Sequence, residues 1–206
     1  MSVVEPSPTR VVGIGASAGG IDALIRLLGT IPRECGCAFC IALHVPPTGH
    51  SVLAQILDRR CAPIVRTAQD GDLIQPGRVY VAPPDRHLTV GIDALRLSCE
   101  PAENGVRPAI DPLFRSLAET RGPAAVAVVL SGALGDGAFG ARAVAVAGGR
   151  VYVQDPTEAI VASMPERAIA AVGPAARVLG VAAIGEEIAQ LEPVDIGVLP
   201  LAKAPT

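Results

Sequence analysis

The chain has 206 residues, of which 50% are hydrophobic, 18% are charged and 2% are aromatic, and its formal net charge is −3. This length suits one domain with at most a short tail, and the apolar content is enough for a sizeable buried core. With no basic excess and few aromatic side chains for base stacking, nucleic-acid binding is not expected. The first ten residues are too polar for a signal peptide, and no apolar run approaches the roughly 20 residues that span a bilayer, so no membrane insertion is expected.

The elements predicted in chain order alternate between short β-branched runs and helical patterns, which is typical of βα units on a parallel sheet. Strands are predicted at residues 10–14, 38–43, 64–66, 78–82, 124–130, 150–153 and 176–180. Helices are predicted at residues 21–29, 51–60, 112–120, 137–147, 165–172 and 186–191, the third with Asp111 as its N-cap. Residues 87–91 and 94–99 predict a hairpin. The predicted fold is α/β, with a doubly wound, mostly parallel sheet, helices on both faces and a small antiparallel hairpin.

Cysteine usage indicates the redox setting. The cysteines are Cys35, Cys37, Cys40, Cys61 and Cys99. An odd number in a chain of this size favours reduced thiols and a cytoplasmic location. Cys37 and Cys40 have zinc-like spacing, but no second cysteine pair or spaced histidine pair accompanies them, and Cys40 falls within an apolar predicted strand. We therefore expect buried thiols, no metal and no cofactor.

A glycine-rich turn between the first strand and the first helix admits two interpretations. In one, Gly15 and Ser17 belong to a G-x-S-x-G nucleophile elbow, whose small residues let the serine hydroxyl project from the end of the sheet. The helix start behind it offers N–H groups to an oxyanion. In the other, Gly13, Gly15 and Ala18 form a dinucleotide-binding turn, which also requires an acidic residue at the end of the second strand. His44 follows that strand instead.

Three histidines are present, so the candidates for a general base are few. His44 lies just beyond a predicted buried strand, where ligands of open α/β sheets gather. If the first two strands are neighbours, His44 and Ser17 project into the same crevice. His50 is interpreted as capping or solvating the next helix, and His87 as the start of the hairpin.

Asp136 completes the candidate site. It lies in a glycine-flanked loop directly after the most apolar predicted strand, at residues 124–130. A carboxylate there can accept the Nδ1–H of a histidine and stabilise the imidazolium. Alternatively, Asp136 caps the following helix. The order of serine, histidine and aspartate differs from that of the hydrolase fold that usually carries G-x-S-x-G.

Taken together, these loops resemble the catalytic domain of the chemotaxis protein-glutamate methylesterases, the CheB type. The resemblance extends from about residue 11 to residue 191. It rests on blocks in the same order at residues 15–20, 43–47, 79–87, 107–114, 130–137, 154–156 and 164–165. It implies a triad at Ser17, His44 and Asp136. It also implies residues 1–10 as an extension, 11–191 as a methylesterase domain and 192–206 as a tail.

The same resemblance implies a serine hydrolase that demethylates glutamate methyl esters on the cytoplasmic region of methyl-accepting chemoreceptors, and it admits deamidation of receptor glutamines. Two alternatives stay open: a nucleotide-binding module that uses the glycine-rich turn, and a catalytically idle adaptor of a chemosensory array.

Two departures from the family pattern stand out. Members usually carry a receiver domain ahead of the esterase, and ten residues leave no room for one, so any control by phosphorylation is expected from a separate regulatory protein or is missing. Ala133 stands where a methionine is common, and Ala18 where a threonine is common.

Overall fold

The computed structural model describes residues 10–46 and 52–191. Its centre is a seven-stranded parallel sheet with the order β3-β4-β2-β1-β7-β8-β9. The sheet strands are β1 (Arg10–Ala16), β2 (Cys37–Leu43), β3 (Ile64–Thr67), β4 (Arg78–Val81), β7 (Val126–Val129), β8 (Arg150–Gln154) and β9 (Ala176–Leu179). A separate antiparallel hairpin joins β5 (His87–Val90) to β6 (Leu95–Ser98). The predicted fold class is confirmed.

Six α-helices are present in the part of the chain that the structure describes. They are α1 (Gly20–Leu28), α2 (Leu53–Asp58), α3 (Ile110–Arg121), α4 (Ala138–Val146), α5 (Ser163–Val172) and α6 (Val181–Ala189). Each follows a strand or the hairpin, as expected for crossover connections between parallel strands.

Side-chain alternation along the buried strands divides the core into two halves. Val12 and Ile14 of β1 face one half, with apolar residues of α1, α2 and α6. Val11 faces the other half, with apolar residues of α3, α4, α5 and the hairpin. Both faces of the sheet are therefore covered, which explains why β1 and β2 are continuous buried runs rather than alternating ones.

The structure corrects the role of Asp111 at the start of α3. The N-cap is Ala109, which makes no side-chain capping hydrogen bond, and Asp111 lies one residue inside the helix. Its carboxylate accepts a hydrogen bond from the Gly140 N–H of α4 at 2.7 Å. A contact with another helix has taken the place of local capping.

The prediction for the last helix was also wrong in its start, since α6 begins at Val181 and not at residue 186. Gly185 lies in the middle of α6 and obscures the helical pattern. A side chain at Gly185 would overlap with Thr30 Oγ1, just beyond α1, so the glycine permits close packing of the two helices. Residues 192–206 lie outside the described residues, and the limits of the predicted extension and tail stay predictions.

Candidate active site

Ser17 lies between the end of β1 and the start of α1, and backbone hydrogen bonds fix its position. Its N–H donates to the Ser131 carbonyl at 3.0 Å, and its own carbonyl accepts from the Gly20 N–H at 2.8 Å. Gly132 allows the neighbouring loop to approach, because a Cβ there would lie 2.9 Å from Ser17 Cβ and 2.6 Å from Met164 Cε. The serine is therefore held at the crossing of two tight turns.

The glycines of β1 serve helix packing rather than a ligand. A side chain at Gly13 would overlap with Leu117 Cδ1, and one at Gly15 would overlap with Ile110 Cγ2, both from α3. The space that a pyrophosphate would need against these glycines is filled. The dinucleotide interpretation of this turn is not supported.

His44 directly follows β2, the neighbour of β1 in the sheet. Its N–H donates to the Ala16 carbonyl at 3.2 Å, so its backbone continues the ladder by one residue. The His44 Nδ1 atom lies 3.1 Å from Ser17 Oγ, and its Nε2 atom lies 2.7 Å from Asp136 Oδ2. The three predicted residues thus form a continuous hydrogen-bonded chain.

The two ring nitrogens of His44 have the reverse of the expected roles. From the sequence, Nδ1–H was predicted to face the carboxylate, whereas Nε2 faces it in the structure. The strand order gives the reason. Ser17 follows the adjacent strand and meets the near nitrogen, whereas Asp136 follows β7, one strand further away, and meets the far one. The arrangement requires the tautomer with the proton on Nε2, which leaves Nδ1 free to accept the Ser17 proton.

Asp136 is 2% exposed and accepts three hydrogen bonds besides the one from His44. The donors are Ile110 N–H at 2.7 Å, Asn104 Nδ2 at 2.8 Å and Asp111 N–H at 3.1 Å. Burial alone would raise the pKa of Asp136, but these donors and His44 outweigh it and hold the pKa below its ordinary value. The residue is therefore a buried carboxylate that stays ionised beside the imidazole.

Asn104 and Asp111 are partners of Asp136 that the sequence analysis missed. The Asn104 Nδ2 group donates to Asp111 Oδ2 at 2.9 Å as well as to Asp136. Burial raises the pKa of Asp111, and the nearby Asp136 raises it further. The signal available in the sequence was the Asn104-Gly105 dipeptide, which favours a tight turn but does not reveal a partner 32 residues away.

Ser131 and Gln154 were also missed, although both lie in blocks that carry the family resemblance. The Ser131 hydroxyl donates to the Ala18 carbonyl at 2.7 Å and accepts from the Val161 N–H at 3.0 Å. Buried Gln154 accepts from the Ser131 N–H at 2.7 Å. These contacts tie the loops after β1, β7 and β8 together around Ser17.

The backbone N–H groups of the two loops around Ser17 differ in whether they already donate a hydrogen bond. Those of Ser17 and Gly132 donate to other backbone carbonyls. By contrast, the N–H groups of Ala18, Gly19 and Ala133 donate to no described residue. Ala18 also precedes α1, whose N-terminus favours negative charge.

The other candidate residues from the sequence either have structural roles or lie outside the described residues. His87 begins β5 as predicted, is buried, accepts from the Ala109 N–H at 3.2 Å and bonds the Pro101 carbonyl at 3.1 Å. His50 lies outside the described residues. Cys37 and Cys40 point to opposite faces of β2 and belong to different halves of the core, so they cannot share one metal ion.

The fold and the geometry define a parallel α/β protein with a serine, a histidine and an aspartate joined at the carboxyl ends of neighbouring strands. A sequence profile described as CheB methylesterase matches residues 12–188. The chain therefore belongs to the CheB methylesterase family.

Two relatives and one solved structure show the extent of the similarity. A protein-glutamate methylesterase/protein-glutamine glutaminase 2 from Methanosarcina mazei is 38% identical over 169 residues, which are 78% of this chain and 46% of that protein. A protein-glutamate methylesterase/protein-glutamine glutaminase 1 from Myxococcus xanthus is 41% identical over 91% of this chain and 55% of its own. The CheB methylesterase catalytic domain of Thermotoga maritima superposes with a TM-score of 0.82 at 31% identity, covering 87% of this chain and 97% of that one.

The chain spans about half the length of the curated relatives it matches. Within the described residues, no helix is both long and apolar enough to cross a membrane.

Proposed function

We propose that the chain is a serine hydrolase that removes methyl groups from glutamate methyl esters on the cytoplasmic region of chemoreceptors. The observation that carries this proposal is the hydrogen-bonded chain from Ser17 through His44 to Asp136. Membership of the CheB methylesterase family and the names of the relatives support the substrate. A cytoplasmic location and a separate regulatory protein belong to the same proposal.

The geometry supports acyl transfer in two steps. Ser17 Oγ attacks the ester carbonyl carbon while His44 Nδ1 takes the hydroxyl proton, and Asp136 stabilises the resulting imidazolium. The N–H groups of Ala18 and Ala133 would hold the oxyanion. Collapse of the tetrahedral intermediate breaks the bond to the methoxy oxygen, which leaves as methanol with the proton from His44.

Water then repeats the sequence on the acyl-enzyme. His44 takes a proton from water, the hydroxide adds to the acyl carbon, and Ser17 Oγ leaves with that proton. The products are a glutamate side chain and the free enzyme. The same steps on a glutamine side chain would release ammonia in place of methanol, which is the deamidation activity that the relatives' names include.

Methanol release from a methylated receptor tests this proposal. Replacing Ser17 by alanine should lower the rate by about 10⁴-fold or more, as for triads generally. Ser98→Ala is a matched control, because it makes the same chemical change on β6, away from the site, and should leave the rate unchanged. Equal methanol release by Ser17→Ala and the unmodified protein would contradict the proposal. An unmodified protein that binds receptor but releases no methanol would instead be an adaptor.

A further inference from the structure

We propose that the side-chain amide of Asn104 is a positioning group for the triad acid, Asp136. Buried Asp111 holds that amide in place. This inference rests on the proposed function, because it assigns Asn104 a part in the same reaction. In this role Asn104 orients the Asp136 carboxylate towards His44 and does not itself contact substrate.

The donors of Asn104 match the acceptors around it. A primary amide has two N–H donors on its nitrogen. The Asn104 Nδ2 atom lies 2.8 Å from Asp136 Oδ1 and 2.9 Å from Asp111 Oδ2, so one N–H donates to each carboxylate. Asp136 Oδ1 faces away from His44, which bonds Oδ2. The amide therefore holds the oxygen that His44 does not, and it opposes rotation of the carboxylate.

Asp111 fixes the amide in turn. It is 1% exposed, its Oδ1 accepts from the Gly140 N–H at 2.7 Å, and its own N–H donates to Asp136. Asn104, Asp111 and Asp136 thus form a closed ring of hydrogen bonds. A closed ring leaves the Asp136 carboxylate little freedom to tilt.

The backbone turn that carries Asn104 is itself well anchored. Asn104 and Gly105 have φ of 55° and 78°, and Glu103 and Val106 exchange backbone hydrogen bonds of 3.2 and 3.0 Å, as in a two-residue hairpin turn with both central φ positive. Two nitrogens of Arg115 in α3 lie 2.5 and 2.8 Å from the Glu103 carboxylate. The turn that carries the amide is therefore joined to α3 by this ion pair.

A simpler interpretation is that Asn104 is present only because its turn needs a positive φ. Glycine and aspartate also adopt that conformation readily. The turn alone would therefore be satisfied by either residue, whereas the proposed role needs the two N–H donors. This difference separates the two interpretations experimentally.

The variants Asn104→Gly and Asn104→Asp form the test, with kcat and KM for methanol release measured between mildly acidic and neutral pH. Asn104→Gly should lower kcat by about 10- to 100-fold with little change in KM, because a hydrogen bond to a charged group is lost. Asn104→Asp should be worse at neutral pH, since it places a third carboxylate beside two others.

The pH dependence of the two variants should differ. The new carboxyl group of Asn104→Asp regains one O–H donor when protonated, so its kcat relative to the unmodified protein should rise as the pH falls, whereas the ratio for Asn104→Gly should stay flat. The ratio removes titrations that all proteins share. The charged or titratable groups around position 104 are Asp111, Asp136, Glu103 with Arg115, His44 and His87.

A second readout does not depend on the substrate. The low-field proton resonance of the hydrogen bond between His44 Nε2–H and Asp136 should shift or broaden in Asn104→Gly. If Asn104→Gly has the same kcat as the unmodified protein and its resonance is unchanged, the positioning role is overturned. If the unmodified protein releases no methanol, the proposed function fails, and the resonance alone decides: a shift supports the role of Asn104 and an unchanged signal refutes it.

Discussion

Asp136 and Asp111 are two buried carboxyl groups in one hydrogen-bond network, and their pKa values move in opposite directions. Asp136 accepts four hydrogen bonds, which overcome burial and lower its pKa. For Asp111, burial and the neighbouring Asp136 raise the pKa, and bonds from Gly140 and Asn104 only partly offset them. Separated pKa values in paired acids are a feature of catalytic sites. The carboxylate with the lowered pKa is the one that faces His44.

Acid titration should expose the contribution of Asp136 to stability. Its pKa is lower in the folded protein than the unfolded value of about 3.9, so the ionised group stabilises the fold above that pH. This contribution is lost as the pH falls through the folded pKa. At pH 7 we expect Asp136→Asn to lower the free energy of unfolding, measured by urea titration, by about 1–3 kcal/mol. The difference from the unmodified protein should shrink towards pH 2. A difference that does not change with pH would contradict this account.

At the residue scale, the sequence predicted that Ser17, His44 and Asp136 lie together, and the structure places them within hydrogen-bonding distance. Their catalytic roles stay a prediction. The sequence was not sufficient for Asn104 or Asp111, whose contacts to Asp136 depend on how α3 and a distant turn pack together. The nitrogen of His44 that faces each partner depends on strand order, which no local pattern contains.

At the scale of elements, α3 connects the sheet to the site. The Ile110 side chain of α3 packs against Gly137, where an added Cβ would lie 2.6 Å from Ile110 Cγ2. The same side chain fills the space above Gly15 in β1. The Ile110 N–H holds Asp136 at the same point. One residue of α3 therefore contacts both the strand that leads to Ser17 and the loop that carries Asp136.

Two glycine substitutions in β1 should separate packing from catalysis. Gly15→Ala and Gly13→Ala each add one methyl group against α3 and should each destabilise the fold by about 1–3 kcal/mol. Gly15→Ala displaces Ile110 and with it a donor to Asp136, so it should also lower kcat, whereas Gly13→Ala meets Leu117 two helical turns further along and should not. Urea unfolding and methanol release measure the two effects. Equal kcat in both variants would argue against this role of Ile110.

Among the elements, strands were easier to predict than helix starts. β2 was predicted within one residue of its observed limits, and the strand predicted at residues 124–130 is observed as the shorter β7, Val126–Val129. The start of α6 was missed because Gly185 breaks the helical pattern, and that glycine is explained only by the contact with Thr30 beyond α1. Helix–helix contacts of this kind leave no periodic signal in one sequence.

At the scale of the whole molecule, the order of strands creates the site. The chain proceeds from β1 to β2 on one side and later adds β7 on the other side of β1. Open α/β sheets bind ligands at such a reversal, outside the carboxyl ends of the strands. The sequence placed all three residues at strand ends but could not show that β1 lies between β2 and β7. That adjacency is what brings Ser17, His44 and Asp136 together.

Truncation tests the limit predicted for the catalytic domain. A chain of residues 10–191 should keep the Tm of the full chain within about 2 °C, roughly 0.5 kcal/mol, and should keep its kcat. A chain that ends at residue 183 is the matched control. It removes Ile184 and Ile188, which are fully buried in the core half formed with α1, and should lose several degrees of Tm. A large loss of Tm in the longer truncated chain would place part of the folded domain outside residues 10–191.

The N–H groups of Ile110 and Asp111, at the first turn of α3, donate hydrogen bonds to the carboxylate of Asp136, which belongs to a different loop. Helix formation at this turn and ionisation of Asp136 are therefore linked equilibria, and the linkage is reciprocal. Protonating the acid weakens the start of the helix, and fraying of that start makes the acid easier to protonate by the same free energy.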